Sequence, residues 1–126
     1  MPKLLKYYYW LPAFIWMLVI FTFSSQPTFH TSPVTWQDFI FKKTAHFIEF
    51  AVLDFLLVYA LAKTTNISWI KILFIAAFVC FLYGASDEYH QYFVAGRQPR
   101  IQDVFIDGLG SLSVSTFLLR YPSSIF

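Results

Sequence analysis

Four apolar stretches, each near the length needed to cross a bilayer, leave this chain few ways to fold. They run from about Tyr7 to Phe23, Lys43 to Leu61, Trp69 to Ala85 and Ile101 to Leu119. A spanning helix needs roughly 20 mainly apolar residues, and in lipid only helices or closed barrels satisfy every backbone polar group. Across 126 residues, 58% are hydrophobic and 13% charged, too little charge to solvate such stretches as surface helices. The expected fold is all-α: an integral membrane helical bundle of four transmembrane helices, with residues 1–126 as one membrane domain.

The flanks agree. Lys3 and Lys6 precede the first stretch, and Tyr7, Tyr8, Tyr9 and Trp10 form an aromatic anchor at its entrance. Pro12 falls in the opening turns, where a missing N–H does least harm. A cleaved signal peptide would show a small-x-small site; Phe23-Ser-Ser-Gln-Pro27 offers none, so a retained helix is expected. Ser24 to Ser32 reads as a loop. Ser32-Pro33 supplies an N-cap and a first-turn proline for a helix near 33–42, interfacial in character and able to continue into the second span. Lys63 to Ser68 is a polar connection, and Gly96 to Gln98, before Pro99, is a turn. The lone Cys80 excludes a disulfide within the chain and reads as a small buried hydrophobe. A net charge of +2 argues against nucleic acid as a partner.

Four spans place both termini on one side. Lys3, Lys6, Lys63, Lys71 and Arg120 lie on that side; Lys42, Lys43, Arg97 and Arg100 lie on the other. The positive-inside bias then puts the termini in the cytoplasm of a plasma membrane.

That topology gathers the polar chemistry at one membrane face. Ser24, Ser25 and Gln26 close the first span; Lys43, His46 and Glu49 open the second; Asp87 to Gln91 close the third; Arg97, Arg100, Asp103 and Asp107 open the fourth. His46 and Glu49 are i, i+3, as are Asp87 and His90, with Gln91 at i+4. Asp103 and Asp107 are i, i+4, in line with Ser111. Such faces are tolerated in lipid only if they point inward. Gly108, Gly110, Ser111, Ser113 and Ser115 give the fourth span a slim surface for close packing. Asp54 stands apart, deep in the second span and about 80° around from His46 at 100° per residue. It is either a deep contact to another helix or a sign of misplaced span limits.

Histidines and carboxylates together suit general acid–base chemistry. His90, Asp87, His46 and Glu49 are the candidate catalytic residues: His90 as acid or base, Asp87 orienting it, and His46 with Glu49 as a second proton carrier. Arg97 and Arg100 can clamp a phosphate or carboxylate. Gln91, Glu88, Ser25, Gln26, Asp103 and Asp107 complete the ligand-binding candidates. Beside a membrane surface these groups point to a lipid head group or a lipid-linked precursor. His46, Glu49, His90 and an aspartate would make an N/O metal set, but neither H-x-x-E nor D-E-x-H is a metal signature, so no metal or other cofactor is assigned. The plainer readings stand beside these. Asp–Arg pairs often only neutralise one another, His46 with Glu49 reads as a local hydrogen bond, Lys42 and Lys43 snorkel to head groups, and Asp38 is a solvated or interfacial residue.

Read in order, Phe23-Ser-Ser-Gln26, Lys43-x-x-His46-x-x-Glu49-Phe50, Ser86-Asp-Glu-x-His-Gln-x-Phe-x-x-Gly-Arg97 and Asp103-x-x-x-Asp107-x-x-Gly110 resemble the VanZ-like family of small bacterial membrane proteins. The resemblance covers roughly residues 20 to 114. Asp107 stands where that family usually shows Asn, Phe50 where tyrosine is frequent, and Val114 where a small residue is common. The resemblance implies an integral protein of the bacterial cell envelope, linked to reduced susceptibility to teicoplanin and related lipoglycopeptides; it supplies no reaction. The expected partners are membrane lipid and a lipid-linked or cell-wall precursor or a lipoglycopeptide. Two other readings remain open: a non-enzymatic membrane interaction or structural module, and a small proton-coupled transporter, which would need to oligomerise.

Overall fold

Pro12 sets the first boundary in the chain. It lacks the N–H that would bond Tyr8, and its ring crowds that carbonyl, so a short α1 (Lys3–Tyr8) ends before a turn at Tyr9 and Trp10 and α2 (Leu11–Ser24) follows. The computed structural model describes residues 3–28, 33, 35–121 and 126. Regular structure among them is entirely α-helical, and α3 (Trp36–Thr64), α4 (Trp69–Gln91) and α5 (Ile101–Leu118) complete it.

A capping box opens α3. The Thr35 hydroxyl accepts from the Asp38 N–H, and an Asp38 carboxylate oxygen accepts from the Thr35 N–H at 3.0 Å. This corrects the expected start: Pro33 lies before the helix, and the expected cap Ser32 lies outside the described residues. Asp38 is thus a capping residue. From there α3 runs unbroken for 29 residues, about 43 Å, so the interfacial segment and the second span are one helix.

Among the described residues, three stretches are long and apolar enough to cross a membrane: Leu5–Ser24, Trp36–Thr64 and Trp69–Gln91. The fourth expected span does not qualify on the same terms. α5 is helical as expected, but Asp103, Asp107, Gly110, Ser111 and Ser115 on its buried side dilute its hydropathy. Its outer side is as apolar as the others, with Phe105, Leu109, Leu112 and Phe117 exposed.

The core lies along α3. Phe50, Leu53, Leu57 and Val58 meet Ile72, Leu73, Ala76 and Cys80 of α4, with Ala13 and Ile20 of α2 and Leu118 of α5 joining the cluster. Cys80 is fully buried and free, and it packs beside the Asp54 carboxylate as well as the apolar core. α5 packs most extensively on α3 and next on α4. Gly110 makes the first contact possible, because a Cβ there would collide with the Phe47 carbonyl. Gly108 meets only the Phe81 ring, and Ser113 is turned outward. Small residues therefore matter on one stripe of α5 only. Large apolar side chains cover the outside of every long helix, among them Phe14, Leu18, Ile48, Phe55, Ile70 and Phe74. Water would penalise such a surface, whereas lipid accepts it.

Candidate functional site

The loops at one end of the bundle are tied down before any side chain of the site is placed. Gly96 adopts φ 77°, a left-handed conformation glycine accepts freely, and a Cβ there would strike the Thr28 carbonyl. Thr28 in turn bonds this turn twice, from its N–H to Ala95 O and from its hydroxyl to Gly96 O. Arg97 then reaches back to the end of α2, donating from Nε to Gln26 O at 3.0 Å and from Nη2 to Phe23 O at 2.6 Å. Those carbonyls lie at a helix C-terminus, where positive charge is favoured, and Phe23 O also accepts from the Gln26 N–H at 3.3 Å.

His90 belongs to the same seam between α2 and α4. Its ring stacks on Phe21 at 4.7 Å, and Nε2 lies 2.9 Å from Ser25 Oγ. The Ser25 hydroxyl has one proton, and Phe21 O, 2.7 Å away, can only accept it. Nε2 of His90 therefore donates. Asp87, the expected orienting partner, instead accepts from Gln91 Nε2 at 3.2 Å. Among the described residues no hydrogen bond joins Asp87 to His90.

A cavity of about 280 Å³ opens between α2, α3 and α4 at this end. His46, Glu49, Asp87 and Gln91 line its floor, while Lys42 and Arg97 bring positive charge to its side. Exposed Phe23, Asp38 and Phe41 form the rim. The shared face of His46 and Glu49 is thus real and turned inward. The two are not bonded to one another, however, and no side chain among the described residues donates a hydrogen bond to the Glu49 carboxylate. Its backbone carbonyl accepts from Trp16 Nε1 at 2.8 Å, which fixes α2 against this turn of α3. Ser24 adds a buried hydroxyl with no partner at the cavity wall.

Behind the cavity, between α3, α4 and α5, lies a second and drier cluster. His46 Nδ1 donates to Asp107 Oδ1 at 3.1 Å, and both residues are buried. Glu88 Oε2 accepts from the Arg100 N–H at 2.9 Å, capping the start of α5. Glu88 Oε1 and Asp107 Oδ2 are buried with no hydrogen-bond partner. Lys43 and Asp103 form an ion pair that ties α3 to the first turn of α5, and the Lys43 ammonium also lies over the Phe39 ring. His46 is common to both regions, with the cavity on one side and the carboxylates on the other.

Asp54 is the deep contact to another helix that its position allowed. Ser111 donates to one of its oxygens at 2.9 Å and Ser115 to the other at 2.8 Å. The carboxylate is completely buried and accepts from both serines within the bundle.

The structure therefore brings His46, Glu49, Asp87, Gln91 and Arg97 to one cavity. Glu88 and Asp107 lie behind it, Asp103 is engaged by Lys43, and Ser25 with His90 forms the α2–α4 seam. Gln26 contributes its backbone carbonyl, its side-chain amide turning back to Thr22 O. Arg100 is exposed, and its guanidinium reaches Gln98. Lys42 and Asp38 are lining residues that the sequence reading left among interfacial groups. For Asp38 the signal was present, since Thr35-x-x-Asp38 has capping-box spacing. Lys42 carried no such sign.

Neither the curated proteins nor the solved structures compared with this chain gave a match. The VanZ/LLP1 family does match, over residues 9–119, a span containing every group that builds the cavity and the cluster behind it. That match covers most of the chain, and the chain belongs to the VanZ/LLP1 family.

Proposed function

We propose that this protein crosses the bacterial plasma membrane four times, termini in the cytoplasm, and uses its polar end to bind an anionic surface or lipid-linked molecule outside the cell. Support for a fourth crossing comes from the apolar outer side of α5, which presents Phe105, Leu109 and Phe117 where lipid would lie. The observation that carries the binding role is the cavity. Lys42 provides a cationic contact for a phosphate or carboxylate, and the charge of Arg97, held in place by the α2 carbonyls, adds to it. Glu49 and Asp87 offer acceptors for hydroxyl or amine donors, and the partnerless Glu49 carboxylate is the most available of them. A lipid-linked or cell-wall precursor combines both kinds of group. If the bound molecule is also modified, His46 and Glu49 are the proton carriers placed to act on it.

Lowered susceptibility to teicoplanin is the phenotype this reading carries. In a deletion strain, restoring the wild-type protein raises the inhibitory concentration, while Glu49→Gln and Lys42→Ala, inserted at equal levels, stay at the deletion value. Equal protection by the variants would remove the cavity from the function. No protection by wild type would remove the antibiotic.

A second reading, a non-enzymatic interaction or structural module, draws on a different fact. Arg97, His90, Lys43 and Asp54 all spend their polar atoms on neighbouring helices. It makes cavity variants silent and packing variants damaging.

A further inference from the structure

A cluster of poorly compensated buried carboxylates lies behind the cavity. His46, Glu88 and Asp107 come from three different helices, and one donor atom from each lies within 4.8 Å of the other two. All three are more than nine-tenths buried, with Asp107 at 0% exposure, Glu88 at 6% and His46 at 8%. Glu88 Oε1 and Asp107 Oδ2 find no hydrogen-bond partner there. Two basic side chains lie near enough to act on Glu88: Lys43, which is paired with Asp103, and Lys42, which lines the cavity. Two carboxylates facing one imidazole in a dry bundle are costly unless protons or a cation join them.

The backbone is shaped to bring these groups together. Gly84 and Glu88 are i, i+4 on α4 and share a face. A Cβ on Gly84 would come within 3.1 Å of Asp107 Oδ2, so glycine at that position lets Asp107 approach the face that carries Glu88. Asp107 and His46 then meet from α5 and α3.

We infer that His46, Glu88 and Asp107 form a binding site for one divalent transition-metal or zinc ion. One imidazole nitrogen with two carboxylate oxygens is a donor set suited to Zn²⁺, Mn²⁺ or Fe²⁺, whereas Ca²⁺ prefers oxygen alone. The 3.1 Å between His46 Nδ1 and Asp107 Oδ1 also matches two neighbouring ligands, each about 2.1 Å from a shared ion. On binding, the ion displaces the Nδ1 proton of the His46 imidazolium, which leaves to solvent, and His46 ligates through Nδ1 as the neutral imidazole protonated at Nε2. His46 also lines the cavity, so the ion sits one side chain away from whatever the cavity holds. The inference does not depend on the cavity's ligand.

Full-length protein purified in detergent and stripped with a chelator is titrated with Zn²⁺ and, separately, Mn²⁺, with bound ions per chain read by elemental mass spectrometry. Wild type takes up one equivalent of at least one of them, more weakly at lower pH. Asp107→Asn and Glu88→Gln lose at least about tenfold in affinity, as removing a ligand costs no less than removing a group that orients one. Ser113→Ala, on the outer side of α5, binds like wild type. Both amide variants keep the oxygens that accept from His46 and from the Arg100 N–H, and helical circular dichroism confirms their fold; His46→Gln replaces either if it does not fold. Absence of saturable uptake by wild type overturns the inference, as does undiminished affinity in the folded ligand variants.

Discussion

The backbone of Gly110 in α5 presses on the carbonyl of Phe47 in α3, leaving no space for a Cβ between them. This contact sets how closely the two most extensively packed helices approach, and with it whether Asp107 can reach His46 and Asp54 can reach Ser111 and Ser115. Gly110→Ala therefore forces α5 outward and destabilises the bundle by about 1–3 kcal/mol, the usual cost of overpacking. Gly108→Ala, facing only the Phe81 ring at 3.8 Å, is expected to stabilise by about 0.5–1 kcal/mol through helix propensity alone. Thermal unfolding in detergent separates the two; equal effects would mean that α3 and α5 are not in this contact.

Asp54→Ala removes the shared acceptor of Ser111 and Ser115 and leaves two buried hydroxyls to find other partners. A loss of about 1–2 kcal/mol is expected, since interhelical hydrogen bonds in membranes are individually modest. Asp54→Asn keeps one acceptor and loses less. An unchanged melting temperature in Asp54→Ala would contradict the pairing.

Topology has its own test, because Cys80 is fully buried and gives little background labelling. On intact cells a membrane-impermeant maleimide labels Gln98→Cys, in the turn before α5, and not Asn66→Cys, in the α3–α4 connection. Labelling of Asn66→Cys alone would invert the proposed orientation. Labelling of both would break the four-span arrangement.

His90→Gln distinguishes a seam residue from a catalytic one. Its amide can donate to Ser25 Oγ as the imidazole Nε2 does. Protection against teicoplanin is expected to survive in His90→Gln and to fall in Glu49→Gln. Loss in both, with normal insertion, would return His90 to the chemistry.

Much of this fold was legible because apolar length and helix ends are local properties. The gathering of Ser25, His46, Asp87 and Asp107 at one end follows from counting crossings. Partners were less legible, because they depend on how far each helix rotates. Asp87 and His90 share a helical spacing, yet Asp87 bonds Gln91 and His90 bonds Ser25, since α4 is turned so that Gly84 faces Asp107. Lys42 and Lys43 are neighbours about 100° apart; one lines the cavity and the other pairs with Asp103. At the start of α3 the expectation rested on Ser32 before a proline, whereas Thr35 and Asp38 cap the helix three residues later. α5 misled by its average: one apolar side and one polar side sum to a hydropathy that describes neither.

The central claim is that the cavity of Lys42, Glu49, Asp87 and Arg97 holds a molecule from the cell surface. Native mass spectrometry of the protein released from its own membranes tests it directly. The account predicts a defined co-purifying species, bearing phosphate or carboxylate, on wild type and its loss from Lys42→Ala and Glu49→Gln. Wild type free of any such species, or the same species retained by both variants, would contradict it.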